Sequence, residues 1–458
     1  MSFLLSLALT FSVVPQGSPT AQDGAQASAK APLLAVTEQA SLRDKLAKFL
    51  ADDAVYVRST GKERDKASRS RDKSKEAFDD EWKKGEKKGN LIASTADLRA
   101  VFENCFLLKQ PSFSVGQLRK DVIKEEQLEY HFFLPKTYKA TTPHRTVLVV
   151  PGSATADGVG TWAKAIEYFT ATWEKSPTAN DSIFHVCSVP TGLELDPIPD
   201  YSRTGADEEE KRRNTAVFKT FGEVMFGYNV DRARVFLDCG RSACGYGVRL
   251  MTLFPDRFAG AILRAPTQVD DLRLGSLAGI PVLLLRTAAS AAAVDALKQR
   301  LDEVSPNTTT VLEAADEYPH RGSTPAIEEW MKGKKRNMVP SKIVLEPNHD
   351  IFNRAYWADI DVADSLLTVQ PDKKPRLEVV ADRAANRITV KTVGVERFSL
   401  YLNDDLVDLD KEFTVVINDK AVTEKKVRSF RGLLDRVIVR NDWDYLFPVQ
   451  FSTAVPKQ

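Results

Sequence analysis

Between residues 127 and 335, short aliphatic runs alternate with stretches whose apolar residues recur at helical spacing. "YHFFLP", "TVLVVPG", "SIFHVCSVP", "RVFLDCG", "FAGAILRAP", "IPVLLLR" and "TTTVLEA" predict strands. "GTWAKAIEYFTATWEK", "NTAVFKTFGEVMFG", "YGVRLMTLF" and "AAVDALKQRLDEV" predict helices between them, and a further helix is expected from about Pro325 to Met331. Strands that are apolar on consecutive residues are buried on both faces, which requires a mostly parallel sheet covered by helices on either side. The class is α/β. Near residue 376 the pattern changes to period 2: "RLEVVAD", "NRITVKTV", "RFSLYLN", "EFTVVIN" and "KAVTEKKV" predict a small antiparallel β domain over 376–455, with Asn418-Asp419 at a hairpin turn. A connecting segment, 336–375, joins the two.

Upstream, residues 28–126 read as a helical, charge-rich region. Ser41 is the expected N-cap of a helix carrying Leu42, Leu46, Phe49 and Leu50 on one face. From 61 to 89 charged residues dominate, and Ala77, Phe78 and Trp82 are almost the only apolar anchors. Acidic residues interleave with the basic ones there, which fits a solvated helix or connector and not a nucleic-acid patch. Residues 3–14, "FLLSLALTFSVV", followed by "PQGSP" and Ala25-Gln26-Ala27, predict a cleaved signal peptide over 1–27 and hence a secreted, periplasmic or otherwise extracytoplasmic protein. About 12 apolar residues are too few to cross a bilayer as a helix, and no later stretch approaches that length.

The chain has 458 residues and a net charge of +1, so two or three domains are expected and no global field points to nucleic acid. Cys105, Cys187, Cys239 and Cys244 show no metal-ligand spacing and are too few for a disulfide scaffold; Cys239 and Cys244 fit small buried residues. Neither a metal nor an organic cofactor is implied. Trp82, Trp162 and Trp173 are read either as packing anchors or as the lining of a carbohydrate or polymer surface.

Chemistry is sought at "GRSACG", residues 240–245, where a buried strand turns into a helix. A serine at such a corner is either an N-cap or a nucleophile lifted out of the sheet. Small residues are required two positions before and after it, and Gly240 and Cys244 occupy those places around Ser242. The backbone N–H of Ala243 would then face a developing oxyanion, with a second N–H from the glycine-containing loop at Gly152, Ser153 and Ala154. Of five histidines, His320 alone lies between the last sheet strand and the last helix; His349 follows that helix and is read as structural.

The stretch "GYNVDRARVFLDCGRSACGYGVRLMTLFPDRFAGAILRAP", with its strand, serine elbow and helix ending at Pro-Asp-Arg-Phe, resembles secreted bacterial α/β-hydrolases of the polyhydroxybutyrate depolymerase and feruloyl-esterase type. "EEWMKGKKRN" and "NRAYWADID" resemble a branch that carries a C-terminal β-rich extension. The resemblance covers roughly 127–455 and makes 127–335 an α/β-hydrolase domain. It implies a serine hydrolase acting on an ester or polymeric ester through an acyl-enzyme, with Ser242 as nucleophile, His320 as general base and Ala243 and Ser153 at the oxyanion hole. The chain departs from the pattern at the acid. "TAASAAAV" follows "IPVLLLR", no carboxylate stands between Asp271 and Asp295, and Asp270, Asp271 and Asp295 are weak substitutes. Loss of the acid lowers turnover about 10⁴-fold in the serine-protease template. Arg241 and Cys244 crowd the elbow, and Pro151-Gly152 replaces a His-Gly pair. The alternative reading is therefore a catalytically degenerate homologue acting as a binding or structural protein.

Overall fold

The computed structural model describes residues 31–456 except 107, 109, 125–127, 153–161, 188–207, 209–211, 213, 214, 268, 270, 271 and 367. The expected signal peptide lies outside the described residues. No described helix is long and apolar enough to cross a membrane.

Helices α1 (Val36–Arg58) and α2 (Gly61–Glu86) pack as an antiparallel pair, followed by α3 (Thr95–Phe102). In α2 the buried positions Ala67, Ser74, Phe78, Trp82 and Gly85 form one stripe, while Ala77 faces solvent. The charged remainder is stabilised by pairs such as Lys75–Asp79 at 2.5 Å, each contributing about 0.3–0.5 kcal/mol. Ser41 does not cap: α1 starts five residues earlier, and the Ser41 hydroxyl donates across to Glu81 of α2 at 3.2 Å.

The main sheet contains β1 (Leu118–Ile123), β2 (Leu128–Phe133), β3 (His144–Val150), β4 (Ser182–Val186), β5 (Val230–Gly240), β6 (Gly260–Arg264), β7 (Val282–Arg286) and β8 (Thr309–Glu313), in the order β1-β2-β4-β3-β5-β6-β7-β8. From β4 to β8 every pairing is parallel; β2 runs antiparallel to both β1 and β4. This is the strand order of the α/β-hydrolase fold. Alternate residues of each central strand enter two separate cores. Leu148, Leu237 and Leu284 face α5 (Thr220–Gly227), α6 (Ala243–Leu253) and α7 (Ala291–Val304). Val147, Phe236 and Leu283 face α4 (Trp162–Thr172) and α8 (Thr324–Met331). Each fully buried aliphatic side chain contributes about 1.5–3 kcal/mol, which is why the central strands carry so few polar residues.

The segment 336–375 is not a simple connector. It supplies β9 (Lys342–Leu345), β10 (Arg354–Ala355) and β11 (Ala358–Ala363) to a two-sheet sandwich completed by β12 (Arg376–Asp382), β13 (Arg387–Val393), β14 (Val395–Leu402), β15 (Phe413–Ile417), β16 (Lys420–Glu424) and β17 (Val449–Ala454). Leu377, Ile388 and Val415 of one sheet meet Phe398, Leu400 and Phe451 of the other in one core. β13 and β15 pair in parallel because β14, between them in sequence, belongs to the opposite sheet. Asn418 and Asp419 both have positive φ, 44° and 70°, as a two-residue hairpin turn between β15 and β16 requires. Between β16 and β17 lies α9 (Phe430–Arg440), which the period-2 reading missed; its Phe430 ring sits 4.2 Å from Trp82 and 5.4 Å from Phe78. The N-terminal helices thus close on the C-terminal helix, and Trp82 is a packing anchor.

Candidate active site

At the carboxyl edge of β5 the chain must turn within two residues to enter α6. Gly240 is required there: a Cβ on it would overlap the Tyr318 hydroxyl and the Pro151 carbonyl, which hydrogen-bond to each other across the corner. The next residue, Arg241, has φ +46°, the left-handed region that a non-glycine side chain enters at a cost. Ser242 follows in ordinary helical geometry (φ −62°, ψ −29°) as the N-cap of α6, and its side chain makes no capping hydrogen bond. In a nucleophile elbow the nucleophile sits on the strained residue of the strand-to-helix turn. Here that residue is Arg241. Both frames meet the demand for small neighbours: Cys239 and Ala243 flank Arg241, Gly240 and Cys244 flank Ser242, and the Cys244 thiol turns inward to the Cys239 carbonyl at 3.3 Å. The backbone separates the two frames.

The residues beneath the corner form a closed polar network. Asp238 accepts from the Tyr168 hydroxyl at 3.1 Å, Trp173 Nε1 at 2.7 Å, and Arg264 Nε and Nη2 at 2.8 and 3.2 Å. Trp173 is therefore fully buried and lines no surface. Burial alone would lower the Arg264 pKa, but Asp238 outweighs it and holds the guanidinium charged. Its remaining nitrogen, Nη1, donates to the Pro319 carbonyl at 3.1 Å and so fixes the loop that carries His320.

His320 stands on that loop with φ +60° and is only 4% exposed. Its Nδ1 lies 2.8 Å from the Asp316 carbonyl, so Nδ1 carries the proton and Nε2 presents a bare lone pair. Burial, the largest influence, lowers the pKa below the ordinary histidine value; the Asp316 carbonyl opposes this, and Arg264 and Arg241 add to it. The imidazole is neutral at pH 7. Nε2 is buried and has no hydrogen-bond partner among the described residues, so Ser242 Oγ does not bond to it. The Asp316 carboxylate is 3.8 Å from Nδ1, outside hydrogen-bond reach.

Asp295 is excluded as a triad acid. It lies on α7 and its carboxylate is held by Arg286 Nε and Nη2, both at 3.1 Å. Asp270, Asp271, Ser153 and Ala154 lie outside the described residues, while Ala243 is the first residue of α6. The Arg241 guanidinium lies 4.2 Å over the Tyr318 ring, whose edge meets the His320 ring at 5.7 Å and 90°. Arginine, tyrosine and histidine thus share the mouth of the elbow. His349 accepts from the Ile351 N–H at 3.1 Å, a local turn role. All four cysteines are buried thiols without a disulfide.

No protein-family profile and no curated protein matches this sequence. Among solved structures it is similar to a thermostable esterase, at 20% identity and a TM-score of 0.37 over 48% of this chain and 63% of that one, under two thirds of that chain's length. It is also similar to a carboxylesterase from Mesorhizobium loti (16%, TM-score 0.34, 47% and 99%) and to a ferulic acid esterase from Anaeromyces mucronatus (11%, TM-score 0.33, 49% and 93%). At this distance they bear on nothing beyond the fold, which the strand order already defines.

Proposed function

We propose that this chain is a binding protein built on an esterase-type hydrolase frame, with no acyl-transfer step at its elbow. The observation that carries this reading is the left-handed backbone at Arg241, which puts a guanidinium where the fold presents its nucleophile. A hydroxyl must lie within hydrogen-bond reach of the imidazole to lose its proton, and Nε2 of His320 has no such neighbour among the described residues. A main-chain carbonyl, not a carboxylate, accepts from Nδ1, and the Asp316 carboxylate stands 3.8 Å away, beyond hydrogen-bond reach, so the imidazolium that acyl transfer generates would lack the direct carboxylate hydrogen bond of a triad.

A second reading is favoured by the tautomer. With the proton fixed on Nδ1 and a lone pair free on Nε2, His320 has the form that a general base needs. Under that reading Ser242 attacks an ester carbonyl, the Asp316 carbonyl stands in for the acid, and the Ala243 N–H receives the oxyanion. The substrate is then an ester or polymeric ester met outside the cytoplasm.

A fluorophosphonate probe separates the two. The folded full-length chain is expected to stay unlabelled, as is Ser242→Ala. Arg241→Ser, which puts a hydroxyl on the strained corner, is expected to gain label. Wild-type labelling that disappears in Ser242→Ala would overturn the binding reading in favour of hydrolysis.

A further inference from the structure

Carboxylates that gather in the β-sandwich carry their own counter-charges. Asp404 and Asp410 share Arg428, Asp408 pairs with Lys411, and Asp359 pairs with Arg354. One place is different. A cavity of about 280 Å³ is walled by the β9–β10 loop and the end of β11; Asp350, Asp361 and Asp364 line it, and no described lysine or arginine does. None of the three forms an ion pair with a described residue. Asp350 accepts from the Leu366 N–H at 2.8 Å and the Ser365 hydroxyl at 2.7 Å, and Asp361 from the Ser399 hydroxyl at 2.7 Å. The Asp364 carboxylate accepts from no described donor. β11 bulges here: its register with β14 shifts between Ile360 and Val362, which leaves Asp361 without a cross-strand partner and re-aims its side chain.

The rest of the wall is an independent observation, because it is apolar. Pro347, Val362 and Leu366 belong to it, Val362 is 45% exposed, and Ile351, next in sequence to Asp350, is 74% exposed. A metal ion does not match this lining. Calcium draws its oxygens to about 2.4 Å, so they crowd against one another. Among the described residues only Asp404, Asp408 and Asp410 come within the required 4.8 Å, and Arg428 and Lys411 already neutralise them. What fits dispersed carboxylates on an apolar wall is a cation with an apolar stem, as a lysine lays its methylenes on apolar surface and keeps its ammonium on polar partners. Pockets for drug-sized ligands start at about 300 Å³, so the space limits the ligand to a short chain.

Independently of how the elbow is read, we infer that this cavity of the β-sandwich binds a short alkylammonium group, its N–H donors on Asp361 and Asp364 and its methylenes on Val362 and Leu366. A free aliphatic amine and the lysine side chain of a partner protein offer the same chemistry. No bond is made or broken.

The test titrates the full chain at low salt by calorimetry and ligand-observed NMR. Pentylammonium stands for a free amine, acetyl-lysine-methylamide for a protein side chain, pentanol for the same chain without charge, and calcium for a metal ion. Saturable binding of either ammonium compound is expected, the tighter of the two identifying the source. Pentanol should bind about tenfold more weakly, the effect of losing hydrogen bonds between charged groups. Asp364→Asn, which breaks no bond to a described residue, should weaken ammonium binding about threefold while the urea midpoint stays where it is. Val362→Lys sets an ammonium of the chain itself beside the carboxylates and should abolish binding. Calcium at an equal concentration should not displace the amine. No saturable binding of either ammonium compound, equal affinity for pentanol, undiminished binding in Asp364→Asn and Val362→Lys, or displacement by calcium would each overturn the proposal.

Discussion

The elbow and the junction between the hydrolase sheet and the β-sandwich both bury arginines, and they treat them in opposite ways. At the junction, Arg336 makes a two-pronged contact with Asp442 at 2.8 and 2.8 Å and donates to the Asp256 carbonyl at 2.7 Å; Arg440 pairs with Asp256, and Arg257 reaches Asp442 at 3.4 Å. Arg99 of α3 joins through Asp444 at 3.2 Å, so all three parts of the chain meet in one charged cluster. Burial alone would raise the Asp442 carboxyl pKa. Arg336 first, then Arg257 and Arg440, outweigh this and hold it well below the usual carboxylate range. At the elbow the base of the site is likewise saturated around Asp238, while above it the Arg241 guanidinium stacks on Tyr318 and His320 Nε2 is buried without a hydrogen-bond partner among the described residues. A closed network fixes geometry. The layer above it is held by ring stacking and burial and has fewer ion pairs to lose.

Breaking the closed region should have the largest effect. Asp442→Asn keeps the shape and removes the charge that Arg336 and Arg257 share, and leaving buried guanidinium groups undercompensated is expected to cost about 3–5 kcal/mol. Urea unfolding should show a lower midpoint with an unchanged slope. Arg241→Gln, above that base, should change stability by less than about 0.5 kcal/mol because among the described residues its guanidinium makes no ion pair and only stacks on Tyr318. If the two variants cost the same, the contrast between the regions fails.

Acid should act next, and it should act on the hydrolase domain first. His185 on β4 is fully buried against Thr220 at 2.9 Å, and burial pushes its pKa down to about 3 from 6.5. Burial likewise lowers His131 and His320. Between those values the unfolded chain binds protons that the folded chain refuses, so this stability is fully present above pH 6.5 and is lost as pH falls. For His185 alone the loss by pH 4.5 is about 2–3 kcal/mol. Thermal unfolding followed from pH 7 to 4.5 should show this decline, and His185→Asn should flatten it. A transition temperature independent of pH across that window would show that the buried imidazoles are charged in the folded state.

The strands of the hydrolase sheet were legible because burial on both faces writes consecutive aliphatic residues into the chain, and β3 and β5 to β8 all lie where "TVLVVPG" and its successors indicate. His320 was legible as the histidine between the last sheet strand and the last helix. What stayed hidden was local or long-range. α9 hid because Leu433, Leu434 and Val437 are buried by N-terminal helices more than 300 residues away in sequence, a neighbourhood that no window around them contains. The β9–β11 segment hid because its strands are short and interrupted by turns. The identity of the corner residue hid because "GRS" satisfies the size requirement of an elbow in either of two frames, and only φ distinguishes them.

That φ value gives the smallest effect and the sharpest test of the comparison. A left-handed arginine holds strain of about 1 kcal/mol that glycine does not carry. Arg241→Gly relieves it without breaking any ion pair, since among the described residues the guanidinium only stacks on Tyr318. Removing that stacking, together with the backbone freedom that glycine adds to the unfolded chain, offsets part of the gain. The expected net is a stabilisation of a few tenths to about 1 kcal/mol, against a destabilisation of similar size for Ser242→Gly at an ordinary helical position. Parallel denaturation of the two glycine variants therefore reads the frame of the elbow directly. If Ser242→Gly is the stabilising member of the pair, the strained corner belongs to the serine, and the elbow is a nucleophile site after all.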